Sequence, residues 1–352
     1  METKHLNHHD PIAALALEAL AWAARFASSE LFPEAQLRTS LASYAPEQID
    51  TAIQRLLSLG FFEREREHLR IRVPAPSHSE PQAQIALLLD LGDVYLEQAC
   101  YNKAGTLYLH ALHLLEQTVG ERDPASLPVL RRLAKFSMLI DRNEEAELYY
   151  RMALQICEQS LGVEHPDTAQ SLNDMAFFYE LGDKYSEAEA LYKRALRIRK
   201  QVFGDEHVLT ADTLSHLATL YRTQKRYIYA ESLYKQVLRI YRQAFGPMHV
   251  SVAATMNSLA TMYSSQQRYV EAQELYKSII QLHEQLSGPE HLDTAQALYN
   301  LASLYADQAH YRAAEPLYAR ALHIREQQLG PEHPQTRTVL RSLAMLQQHK
   351  NQ

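Results

Sequence analysis

The sequence predicts an all-α protein, a solenoid of six helical hairpins behind a small N-terminal domain. Four columns of residues predict it. Six of the ten glycines, Gly120, Gly162, Gly204, Gly246, Gly288 and Gly330, each fall 42 residues after the last. Tyr108, Tyr150, Tyr192, Tyr234, Tyr276 and Tyr318 keep the same interval without a gap. Ala104, Ala146, Ala188, Ala230, Ala272 and Ala314 keep it too, and Ala134, Ala176, Ala218, Ala260 and Ala302 form a second small-residue column, with Gly92 in the first unit. A fixed period between about 20 and 50 residues marks stacked supersecondary units.

The unit from His165 to Gly204 shows the physics. Leu172, Met175, Ala176 and Tyr179 fall at i, i+3, i+4 and i+7, one apolar face of a helix. Asp167, just after Pro166, is placed to cap that helix, and Gly182-Asp183 to end it. A second helix follows from Tyr185 to Val202, with Ala188, Leu191, Tyr192, Ala195 and Leu196 on one face. Each hairpin leaves an apolar face uncovered, so neighbours must stack to bury it. Two further tyrosine sets belong to this packing: Tyr101, Tyr185, Tyr227, Tyr269 and Tyr311, and Tyr95, Tyr179, Tyr221, Tyr263 and Tyr305. Three columns thus absorb most of the 21 tyrosines. Leu340, Leu343 and Ala344 continue the first-helix pattern, which predicts a capping helix over 334–352 with a polar outer face.

This pattern resembles the tetratricopeptide repeat. Its small residue and tyrosine on the first helix match Ala176 and Tyr179, and its Ala, aromatic and Ala on the second match Ala188, Tyr192 and Ala195. The long second helix and the loop Gly162-Val163-Glu164-His165-Pro166-Asp167-Thr168 resemble the 42-residue repeats of kinesin light chains, and of bacterial STAND regulators that join an NB-ARC-type NTPase to such repeats. The resemblance implies a right-handed α-solenoid over 83–333.

Residues 74–82, with three prolines and two serines, read as a linker. Before them, residues 1–73 read as helices over Ile12–Ala27, Pro33–Leu41 and Glu47–Leu59. Strands follow at Phe61–Glu65 and Leu69–Val73, around a Glu67-His68 turn. Three helices and a β-hairpin resemble a winged helix, in particular the module between NTPase and repeats in STAND regulators. A family histidine that touches nucleotide has Arg72 at the nearest place, so that role is not carried over. DNA reading needs cations or amides on a docked helix. The corresponding helix offers Glu47 and Asp50 against Arg55, and the wing interleaves Arg64, Arg66, Arg70 and Arg72 with Glu63, Glu65 and Glu67.

Composition closes other function classes. There is no G-x-x-x-x-G-K-[ST] or G-x-G-x-x-G, which removes the commonest ATP and NAD folds. Net charge is −7, from 35 Lys+Arg and 42 Asp+Glu, with no general attraction to phosphate backbones or anionic lipid. Cys100 and Cys157 read as reduced, packed thiols. The stretch Ile12–Ala27 is interrupted by Glu18 and Arg25 and is too short to span a bilayer. A cytoplasmic protein is therefore expected. His165, His207, His249, His291 and His333 recur once per loop and read as loop-shaping residues, too dispersed to share an ion. His110 and His113 lack a third ligand in register. No metal, cofactor or catalytic set is expected, and hence no enzyme.

Positions flanking the packed columns on the first helices should face the groove of such a solenoid. One row reads Arg131, Asn173, Ser215, Asn257 and Tyr299. The next reads Arg132, Asp174, His216, Ser258 and Asn300. The third reads Lys135, Phe177, Thr219, Thr261 and Ser303. Asn173, Asn257 and Asn300 resemble the asparagines that hold an extended peptide in kinesin-light-chain-like repeats. An amide suits that work because it both donates and accepts. Arg131, Arg132 and Lys135 read either as a subsite for an acidic ligand or as a solvated face on a divergent repeat. The expected function is a protein-binding scaffold with a peptide or partner segment in its groove. The alternatives are the sensor half of a STAND-type regulator, associated with an NTPase module, and a winged-helix DNA-binding regulator with peptide-sensing repeats.

Overall fold

The computed structural model describes residues 31–42, 44–58, 61–66, 68–71, 81–120 and 122–350, together with Ala16 and Ala19. The helix expected over Ile12–Ala27 otherwise lies outside the described residues, as do Arg72, Val73 and the linker up to position 80. Two compact units make up the chain, Met1–Ser171 and Leu172–Gln352.

The first unit begins with β1 (Leu31–Pro33), α1 (Glu34–Ser40), α2 (Pro46–Ser58), β2 (Phe62–Glu65) and β3 (His68–Ile71). These strands form one antiparallel sheet in the order β1-β3-β2, with Phe32 opposite Leu69 and Arg64 opposite Leu69 on the other edge. β1 is an addition to the expected hairpin, whose second strand also starts a residue earlier and whose turn holds Arg66 at φ 58°. Leu37, Leu41, Ile53, Leu56, Phe61 and Leu69 are buried and give this piece its core.

Helical hairpins follow. In the first unit they are α3 (Pro81–Glu97) with α4 (Tyr101–Thr118), and α5 (Leu127–Leu139) with α6 (Asn143–Ile156). α3 starts inside the stretch read as linker. A π-helical turn over Cys157–Leu161 extends α6. α7 (Pro166–Leu181) runs through the boundary between the units. The second unit continues with α8 (Tyr185–Phe203), α9 (Val208–Thr223), α10 (Tyr227–Phe245), α11 (Val250–Ser265), α12 (Tyr269–Leu286), α13 (Leu292–Asp307), α14 (Tyr311–Leu329) and α15 (Pro334–Lys350).

The recurring histidines are helix caps. Nδ1 of His165, His207, His249, His291 and His333 each accepts from the backbone N–H two residues on, at 3.1–3.3 Å. In α7 the cap is therefore His165, and Asp167 supplies the N–H rather than the capping oxygen. Where the loop carries Asp123 instead, Oδ1 accepts from Ala125 N at 2.8 Å, the same bond from a carboxylate. The glycines close the second helices with φ between 84° and 104°. At the other end of each hairpin the chain turns through a left-handed residue that is never glycine: Ala99, Asp141, Asp183, Lys225, Gln267 and Ala309 have φ of 57–62°. The next residue donates its N–H five residues back, as in Lys184 to Tyr179 O at 2.9 Å, the helix-ending Schellman pattern.

The unbroken tyrosine column is buried, and its hydroxyls follow one rule. Tyr108, Tyr234, Tyr276 and Tyr318 bond the residue fifteen positions back: Asp93 (2.6 Å), Thr219 (2.9 Å), Thr261 (3.1 Å) and Ser303 (3.0 Å). Where that place holds Lys135 or Phe177, which cannot accept, the bond moves three residues along, from Tyr150 to Met138 Sδ and from Tyr192 to Glu180. A second tyrosine set lies under cations: Arg226 sits 4.1 Å from the Tyr221 ring and Arg268 4.0 Å from that of Tyr263. Each of those tyrosines and its arginine also donate to one carboxylate of the preceding second helix, Glu189 and Glu231 respectively. The set beginning with Tyr101 is not core, since Tyr101 is exposed and the other four are half-buried at the starts of second helices.

The last helix corrects the expectation of a polar outer face. On α15 Val339 and Leu346 are buried, but Leu340 is 51 % exposed and Met345 63 %. Leu298, in register with Leu340, is 2 % exposed.

Candidate functional site

The rows on the first helices divide into side chains committed within the protein and side chains that are not. Arg132 is committed. Its Nε donates to Asp93 at 2.9 Å, and Nη2 lies 3.7 Å from Asp90. Burial pushes Asp90 up to about 6, Arg132 pulls it back, and Asp93 adds to the rise. Arg131 donates to Ser171 Oγ and the Asp167 carbonyl, both at 3.3 Å. The forked guanidinium–carboxylate chemistry foreseen for an acidic ligand is thus present with the chain's own carboxylates, and only Lys135 of the three cations is exposed.

In the second unit, Thr219 is spent on Tyr234 and on the Ser215 carbonyl. Tyr299 packs 5.5 Å from Tyr318, lies 5.4 Å beneath Arg325, and reaches Ser342 at 3.4 Å. His216 stacks on Tyr192, 5.7 Å away and nearly coplanar, while its edge meets Phe177 at 6.0 Å. Burial lowers the pKa of His216, so it is a neutral aromatic at pH 7. Phe177 remains 39 % exposed. One turn earlier on α7, Asn173 is 6 % exposed and its Oδ1 has no hydrogen-bond partner. Further along, Asn300 Nδ2 donates to Asn257 Oδ1 at 2.8 Å, and Gln296 Nε2 to Asn300 Oδ1 at 2.8 Å. These amides border a cavity of about 230 Å³ between α11, α12 and α13, which His283 and Asp293 also line. His283, Asp293 and Gln296 escaped the sequence reading. They lie off the three rows, His283 on a second helix and Asp293 and Gln296 near the start of a first helix.

Among the described residues, no three His, Cys, Asp or Glu side chains are placed to hold a metal ion, and no helix is long and apolar enough to cross a membrane. On the N-terminal sheet, Arg64 pairs with Glu34 and Arg70 with Glu65, both at 2.9 Å, so two cations of the β2-β3 hairpin are neutralised in place.

The helical hairpins at 42-residue spacing agree with a sequence match to the tetratricopeptide repeat over residues 127–201, 170–243 and 251–327, more than half of the chain. The chain belongs to the tetratricopeptide repeat family. No curated protein matches the sequence of this tetratricopeptide repeat protein. Among solved structures, TPR-like repeats of Podosopora anserina assigned to a kinesin light chain align with TM-score 0.53 and 22 % identity, over 58 % of this chain and 97 % of that one. A STAND protein with a tetratricopeptide repeat sensor from Pyrococcus horikoshii aligns with TM-score 0.53 and 14 % identity, over 96 % of this chain and 60 % of that one. A Rap protein complexed with competence and sporulation factor gives 0.54 and 14 %, over 98 % and 89 %. At these identities the likeness concerns the fold.

Proposed function

We propose that the protein is a non-catalytic scaffold that holds an extended or short helical segment of a partner protein along the first helices of its repeats. One observation carries this reading: Asn173 Oδ1, buried without a partner, beside the exposed face of Phe177. An unsatisfied buried acceptor costs about 1–3 kcal/mol and is rare in native structures. Rotation of the amide towards the exposed face of Phe177 would let a peptide N–H satisfy it, with Phe177 covering an adjacent apolar group. Capture of partners by the wild type and by Asn173→Ala/Phe177→Ala/Asn300→Ala, each shown folded by circular dichroism, tests the reading. Loss in the variant is expected. Equal capture would move binding away from these helices.

A second reading makes the chain the sensor portion of a STAND-type regulator. It is supported by a likeness that spans the N-terminal piece as well as the repeats and covers 60 % of the STAND protein. The order β1-β3-β2, with two helices between β1 and β2, suits a winged-helix module in that place. A chain acting as sensor alone leaves ATP unhydrolysed, and measurable turnover would argue against it. The paired Arg64 and Arg70 do not favour the DNA-binding alternative, for which a gel shift on duplex DNA at low salt should be blank.

A further inference from the structure

Arg199, Tyr241, His283 and Arg325 form one column, 42 residues apart, towards the ends of α8, α10, α12 and α14. Three of them fill the space they face with a polar group. Arg199 Nη1 donates to the Leu209 carbonyl at 2.6 Å and to Thr213 Oγ1 at 2.8 Å. Tyr241 donates to Asp212 at 2.5 Å. Arg325 donates to the Gln335 carbonyl at 3.0 Å and to Gln296 Oε1 at 2.6 Å. Both arginines are only 3 % exposed.

The fifth hairpin breaks the column in three places at once. His283 is shorter than arginine. Ala254 stands where Asp212 and Gln296 serve the neighbouring hairpins, and Ala297 where Thr213 does. The missing atoms leave the cavity of about 230 Å³. That is below the roughly 300–1,000 Å³ of a small-molecule cleft, and suits a single side chain. Ala253, Ala254, Ile279 and Ala297 line it with apolar surface, and Asp293 brings a carboxylate to it.

We propose that this cavity receives a cationic side chain, an arginine, from the partner segment held by the repeats. Arg199 and Arg325 show which chemistry fits the same place: a guanidinium donating to a carbonyl ten residues on, at the start of the next first helix. In the fifth hairpin that carbonyl belongs to Asp293, whose carboxylate adds an attraction that Leu209 and Gln335 lack. Methylenes of the incoming side chain lie against the alanines and Ile279. His283, whose pKa burial lowers, sets no positive charge against the guest. The partner then lends this hairpin the guanidinium that the third and sixth hairpins carry themselves. This inference rests on the partner-segment reading above.

The test uses Nα-acetyl-arginine N-methylamide and its uncharged citrulline counterpart, titrated into the full chain and followed by the methyl resonances of Val250 and Ile279. The arginine probe should shift both saturably, with the citrulline probe at least about tenfold weaker. Asp293→Asn should weaken the arginine probe about tenfold. His283→Arg supplies the guanidinium from within and should abolish the shifts without lowering Tm. Equal response to both probes, no response to either, or a response that survives His283→Arg overturns the proposal. Partner capture lost with Asn173→Ala/Phe177→Ala/Asn300→Ala but untouched by His283→Arg would overturn the arginine site and leave the partner-segment reading standing. An arginine response with partner capture indifferent to every one of these substitutions would overturn the partner-segment reading instead.

Discussion

Ala309 holds φ at 58° to turn α13 into α14, a conformation that crowds the Cβ of any residue but glycine. Ala309→Gly removes that crowding at the expense of unfolded-state entropy, and should raise stability by about 0.5–1 kcal/mol in a denaturant titration. The opposite holds for the caps. His249 both accepts from Ser251 N–H and stacks on Phe245 at 4.2 Å. His249→Ala should cost about 1 kcal/mol, while His249→Asp, on the precedent of Asp123, should retain the cap. The sequence marked these histidines as recurring but not as caps. The capping atom is Nδ1, and nothing in residue spacing tells a bond to the N–H two residues on from a bond within the loop.

Between elements, charge is arranged in small closed groups. Glu231 accepts from Arg268, Lys235 and Tyr263, which joins α10 to α11 and α12. Burial alone would raise its pKa, yet these donors hold it down at about 2. A carboxyl depressed in the folded state stabilises above its unfolded pKa and loses that contribution as pH falls through the folded one. The Glu231 contribution should thus be complete above about pH 4.5 and vanish towards pH 2. Glu231→Gln should lower stability at pH 7 and flatten the wild-type slope across that window in acid titrations followed by circular dichroism. Arg132→Ala should cost about 1–3 kcal/mol, because it leaves Asp90 and Asp93 together without their cation. The rows on the first helices were legible from the period, because columns repeat. Which members turn towards one another was not. Arg132 to Asp93 and Asn300 to Asn257 span 39 and 43 residues, and that partnering depends on the offset between stacked helices.

Across the molecule, stability in a repeat array is the sum of hairpins and the interfaces between neighbours. Leu298 and Leu340 occupy the same register with opposite burial. Leu298→Ala should cost about 2–5 kcal/mol, and Leu340→Ala less than about 1. Amide exchange should be faster along α15 than along α13, since Leu340 is exposed on α15 where Leu298 is buried on α13. Six hairpins were legible because glycine, tyrosine and alanine each count them. β1 was not, because three residues, Leu31-Phe32-Pro33, carry no alternation, and their strand exists only through its pairing with β3.

The tyrosine hydroxyls couple the row of Thr219, Thr261 and Ser303 to the scaffold, and this makes substitutions in that row epistatic. Thr219 cannot become an apolar contact alone, because Tyr234 would lose its partner inside the protein. Hairpins that carry Lys135 or Phe177 in that row already hold the remedy, an acceptor three residues along at Met138 or Glu180. In the fourth hairpin that place is Arg222, which offers none. Thr219→Phe should therefore be tolerated with Arg222→Glu and poorly without it. A change in this row therefore calls for a second change three residues along.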